Sequence, residues 1–166
     1  MILKIVGCAL IFSASALFGL DYIKGLNDRV SALCEVSDLL NLIKIKVSYE
    51  LCDIPHLLKT LEDRYSIAKS CVFYIEDGQN LQSSWINAID EYSKKRHLES
   101  DDIHLLNDVA VCLGKTDIDG QISNLNMYLK LIEEKLEEIK SEVASKSKVV
   151  FSTSIFTGLL ISIILI

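Results

Sequence analysis

Residues 118 to 143, IDGQISNLNMYLKLIEEKLEEIKSEV, decide the fold. Ile118, Ile122, Leu125, Leu129, Ile132, Leu136, Ile139 and Val143 recur at alternating steps of four and three, the spacing of one face of a helix. Glu133, Glu134, Glu137 and Glu138 occupy the solvent side, with Lys130 one turn before Glu134. Fewer than four heptads are short for an isolated zipper, so the stretch reads as one long amphipathic helix of a bundle. It should begin near Asp117, pass Ser147 and continue to the C-terminus, because neither Gly nor Pro interrupts the junction.

Beyond that helix the chain changes character. Val149 to Ile166 contains no charge, and neither does Ile5 to Leu20; all 23 Asp and Glu residues lie between these runs. Eighteen residues make about 27 Å of helix and sixteen about 24 Å, near the span of a hydrocarbon core. The expected organisation is therefore a transmembrane helix over 1–20, a helical domain over 21–148 and a second transmembrane helix over 149–166. A lysine followed by an apolar run also describes a secretory signal. The charged region is too short and the small-residue site too indistinct for that reading, and an uncleaved anchor is preferred. Lys24, Arg29, Lys130, Lys135, Lys140, Lys146 and Lys148 flank the runs on the domain side, against Lys4 and the amino terminus on the other, which places the domain in the cytoplasm.

The expected domain has one proline and few glycines, and its apolar residues recur three and four apart. An all-α bundle of about six helices follows. Leu26, Val30, Leu33, Leu40, Ile43 and Val47 form a stripe after the first run, expected to pack antiparallel to the 118–143 helix. Asp53 can cap a helix whose first turn holds Pro55 and whose inner face holds Leu57, Leu58, Leu61 and Tyr65. Val72 to Ile75 is β-prone but has no second strand to pair with, so it reads as helix. The next helix carries Trp85, Ile86, Ile89 and Tyr92, with Trp85 as a core anchor, and Ser100 caps another that buries Ile103, Leu106, Val109 and Leu113. The expected core is Trp85, Leu113, Ile122, Leu125, Leu129, Ile132 and Leu136.

The turn from Leu113 to Gln121 carries the most specific local signal. Gly114 suits the left-handed residue that closes a helix, Thr116 or Asp117 can cap the next, and Asp119 favours its positive end. Gly114-Lys115-Thr116 is not the end of a phosphate loop, because Val109 stands where the first glycine would be. Gly114, Thr116, Asp117 and Gln121 are candidate cap or partner-contact residues. Cys52 and His56 make half of a metal site at best, and Cys34, Cys71 and Cys112 stand singly as core thiols.

Tyr49 ahead of Pro55, the run Trp85-Ile86-Asn87-Ala88-Ile89, and Leu113, Gly114, Thr116, Asp117 and Gln121 resemble the stage III sporulation protein AB family over nearly the whole chain. Two departures stand out: Lys46 and Val47 replace a Glu-Ile pair, and His56 follows Pro55 where a leucine is usual. The resemblance implies a helical domain like that of the platform proteins of type II secretion and type IV pilus machines. It also implies a non-enzymatic membrane platform on the mother-cell side of the channel to the forespore, in contact with a secretion-type ATPase and neighbouring channel proteins. Having one helical domain where the secretion platform proteins have a tandem pair, the chain would by that analogy complete an equivalent unit as a dimer, a homo-oligomer.

The remaining function classes are weaker. A net charge of -6 disfavours nucleic-acid binding, with Lys94-Lys95-Arg96 the only basic cluster. His56, His97 and His104 have no nucleophile or carboxylate partner by local spacing, so neither catalytic residues nor cofactors are expected. The alternative to a platform is a membrane-tethered sensor or adaptor regulated by dimerisation.

Overall fold

The computed structural model describes residues 2–50, 53–114 and 118–165, with only some of the side chains within 2–16 and 147–165 and none at 50. Among the described residues there are six helices and no strand: α1 Ile2–Glu50, α2 Ile54–Leu61, α3 Ser66–Glu76, α4 Leu81–Lys95, α5 Ser100–Cys112 and α6 Ile118–Leu165. The fold is all-helical, as expected. The apolar runs are not separate elements but the ends of α1 and α6, which pass residues 20–21 and 148–149 without a break.

Among the described residues no helix is long and apolar enough to cross a membrane. The structure therefore does not support the two expected transmembrane helices as such. More than half of the side chains over 1–20 and over 149–166 lie outside the described set, and the apolar character of those runs rests on the sequence.

The chain divides into two compact units, one of residues 29–136 and one of residues 1–28 with 137–166. In the first, Leu33, Val36, Leu40 and Ile43 of α1 are fully buried, at the three- and four-residue spacing expected of a core face. Leu58 of α2, Ile67 and Cys71 of α3, Trp85 and Ile89 of α4, Leu106 and Val109 of α5, and Leu125 and Ile132 of α6 complete that core. Trp85 is wholly inside, and its indole N–H donates to the Leu106 carbonyl at 2.9 Å, so α4 and α5 share a polar pin within apolar packing. Lys44 of α1 donates to Asn126 of α6 at 3.1 Å. In the other unit Leu26 and Ile139 are buried, and Lys146 hydrogen-bonds Tyr22 at 3.1 Å. The two long helices thus lie side by side in each unit.

Local chemistry accounts for the breaks between elements. Pro55 sits in the first turn of α2, where its missing N–H leaves no bond unmade. Gly78, at φ +90°, closes α3, and Asn80 then caps α4 by accepting from the Ser83 amide at 2.8 Å. At α5 the cap is Glu99 rather than the expected Ser100. Glu99 and Asp102 exchange hydrogen bonds with each other's backbone as a capping box, and the longer acidic side chain one residue earlier takes the role.

Burial along α6 departs from the strict seam. A straight helix of about 3.6 residues per turn drifts off a seven-residue repeat, so the buried stripe runs through Gln121, Leu125, Ile132 and Leu136. Ile122 and Leu129, expected in the core, are half-buried at its flank, and Ile118 is 42% exposed in the first turn. Leu61 and Ile103 are likewise half-buried and Ile86 is exposed, at the edges of their apolar faces. Glu133, Glu134, Glu137 and Glu138 are exposed, as their side of the helix predicts.

Candidate functional site

The turn after α5 begins at Leu113, whose backbone leaves the helical region for an extended one. The Leu113 amide still reaches the Ala110 carbonyl at 3.3 Å, and Gly114 then takes φ +76°, a conformation that costs any residue with a Cβ. Leu113 is buried while Gly114 is exposed. A Cβ on Gly114 would stand 3.4 Å from Cδ2 of Leu81, so the turn lies directly against the start of α4.

A cleft of about 390 Å³ opens there, lined by Asp53, Pro55, Asn80, Leu81, Gln82, Leu113 and Gly114. Three segments far apart in sequence meet at it: the start of α2, the start of α4 and the turn that follows α5. The fold brings Pro55 and Gly114, from two of the stretches singled out in the sequence, to one surface. Asp53 makes no side-chain cap hydrogen bond, whereas Asn80 does. The lining supplies one carboxylate, two carboxamides and apolar walls, which are groups for recognition.

The other sequence candidates are placed differently. Thr116 and Asp117 lie outside the described residues, as does Cys52, so the expected cap of α6 is not described. Gln121 is 6% exposed, and its Nε2 has no hydrogen-bond partner among the described residues. Its place in the buried stripe of α6 makes it part of the core face rather than of the cleft. Tyr49 is 84% exposed. No group of three His, Cys, Asp or Glu side chains among the described residues is arranged to hold a metal ion. Cys71 is a buried free thiol that desolvation pushes up to about 12, so it stays protonated and inert near neutral pH.

Two polar clusters were not foreseen. Arg29, read from the sequence only as a topological charge, is 3% exposed. It clamps Asp102 with two bonds, Nε to Oδ2 at 2.6 Å and a terminal nitrogen to Oδ1 at 2.9 Å, and reaches Glu99 at 2.6 Å. Asp102, fully buried, also accepts from the Glu99 amide at 3.0 Å, so the group that caps α5 is the group that anchors α1. A signal was available: Arg29 lies three residues after Leu26 and four before Leu33, within the apolar stripe. Farther along α1, Glu35 accepts from Tyr92 at 2.7 Å, pairs with Arg96 at 3.2 Å and accepts from Ser66 at 3.2 Å, tying α1 to α3 and α4. Burial, reinforced by that bond to Glu35, raises the Tyr92 phenol, so it remains a donor. Local spacing carried no sign of this second cluster, whose members are up to 61 residues apart.

No curated protein and no solved structure matches this chain. The model of the family described as stage III sporulation protein AB does match, over residues 4–166, so the chain belongs to that family and is a sporulation protein.

Proposed function

We propose that this protein is a non-enzymatic, membrane-anchored platform of the sporulation channel between mother cell and forespore, linking a secretion-type ATPase to the channel. One observation carries the reading. α1 and α6, 49 and 48 residues long, each join the packed helical unit to a charge-free terminal run without interruption. A helix that is core at one end and apolar and uncharged at the other is a lever between a bilayer and a helical domain. The lysines that flank these runs favour a cytoplasmic domain on the mother-cell side. The cleft at Asp53, Asn80 and Gly114 offers the partner a recessed surface of amides and apolar walls.

The test is chemical cross-linking of the full-length protein in membranes of sporulating cells, followed by mass spectrometry of the captured proteins. The expected result is an ATPase linked to residues within 21–148, with the linked sites around Asn80, Gln82 and Gly114. Recovery of extracytoplasmic proteins alone on that domain would invert the topology and end the ATPase-coupling role. Failure of the chain to sediment with membranes would end the anchor itself.

A further inference from the structure

Away from the cleft at Gly114, a second and larger one of about 580 Å³ lies between α3 and α4, lined by Ser66, Lys69, Ser70, Phe73 and Tyr74 of α3 and by Glu91 and Lys95 of α4. Phe73 is 67% exposed, an unusual setting for an aromatic ring, and it packs edge-on against Tyr74 with centroids 5.5 Å apart. Glu91 is held ionised by hydrogen bonds from Lys95, first, and from Ser70, so one lysine of the cleft is neutralised internally at 2.7 Å. Lys69 and the neighbouring Lys94 are exposed beside it. In a chain of net charge -6, this aromatic cleft with a basic rim stands out.

α6 carries its counterpart. Met127, Leu131 and Glu134 follow at steps of four and three on the side opposite the buried Leu125 and Ile132, and so form one outer ridge. Met127 is 49% and Leu131 40% exposed, although both are large and apolar. Glu134 is 61% exposed, with Glu133 and Glu137 beside it, and it pairs with Lys130 at 3.9 Å, a loose surface contact. The ridge presents apolar side chains and then acid; the cleft presents an aromatic ring and then base.

We propose that the α3–α4 cleft receives the outer ridge of α6 from a second copy of this chain. Met127 and Leu131 would meet Phe73 and Tyr74, and Glu134 would meet Lys69. Charge complementarity selects the second copy as the occupant, since both halves are carried by the same sequence. The two halves are different surfaces, so the contact is head-to-tail and each copy retains one free cleft and one free ridge. Such contacts build rings or filaments rather than closed dimers. The contact does not depend on which protein the platform engages.

Full-length protein in mild detergent, studied by sedimentation velocity over a range of concentrations, tests this with a charge swap. Wild type is expected to assemble beyond the dimer and to weaken as salt rises. Lys69→Glu and Glu134→Lys should each weaken assembly by about tenfold or more, and the chain carrying both changes should recover it. Circular dichroism serves as the folding control, and both substitutions are at exposed positions. Wild type that remains monomeric, assembly that stops at a dimer, or a double variant no better than either single one would overturn the proposal. An acidic segment of another protein bound in the cleft of a monomeric chain would do the same.

Discussion

Two polar places in the 29–136 unit are built from similar groups and are put to opposite ends. At Arg29 a guanidinium, two carboxylates and a helix cap close on each other, with Arg29 and Asp102 at 3% and 0% exposure. At the Gly114 turn a carboxylate and two carboxamides line an open cleft, and Asp53 leaves even its capping bond unmade. A buried charge is expensive to desolvate, so its partners are committed to it and it specifies where α1 meets α5. Groups that remain in water have paid no such cost and can exchange water for a partner. Function is therefore sought at the open place, and architecture at the closed one.

The largest expected effect lies at the closed place. Asp102→Ala should lower stability by about 3–5 kcal/mol in urea denaturation, because it takes from the buried Arg29 its two-bond buried partner, leaving the exposed Glu99, and breaks the cap of α5 together. The paired change Arg29→Met with Asp102→Leu should recover most of that loss, since an apolar pair of similar volume carries no desolvation penalty. A single variant that unfolds at the wild-type midpoint would show that the cluster is not a clamp. Next comes Gly114→Ala, expected to cost about 1–2 kcal/mol from its left-handed backbone, measured the same way. An unchanged midpoint would mean that the turn is free to adopt another conformation.

The two caps that line the cleft sharpen the comparison further. Asn80→Ala should cost about 1 kcal/mol, because it removes the bond to the Ser83 amide. Asp53→Ala should cost only about 0.3 kcal/mol, the share left to the helix dipole when no capping bond is made. Equal losses would place Asp53 among structural residues and take it out of the candidate contact surface. Smallest of all is Lys130→Ala. Its exposed pair with Glu134, at 3.9 Å, should contribute no more than about 0.5 kcal/mol to the melting equilibrium.

Much of the bundle was legible because helices announce themselves locally. The three-and-four spacing located α1, α4, α5 and α6, Pro55 and Gly78 marked breaks between elements, and Trp85 was read as core. Errors came where a decision depended on what lay opposite. Ile118 has the same spacing as Leu125, yet only the latter is covered, and Gln121 takes a buried place that a hydropathy pattern reserves for an apolar residue. Ser100 is a good cap residue by type, but Glu99 gains the role because its neighbour Asp102 is held in position by Arg29 from another helix. The cleft was half legible: Gly114 signalled a turn, while nothing near it pointed to Asp53 or Asn80.

What the sequence determined by itself is therefore the helical class, the order of the elements, the Leu113-Gly114 turn and the kinship with a sporulation family. These depend on backbone preferences and apolar periodicity, which act over a few residues. Only the tertiary structure decided that Arg29 and Asp102, 73 residues apart, would bury each other, and that Asp53, Asn80 and Gly114 would share one cleft. Contacts of that kind depend on which helix faces are brought together, and no local pattern of residues encodes that pairing.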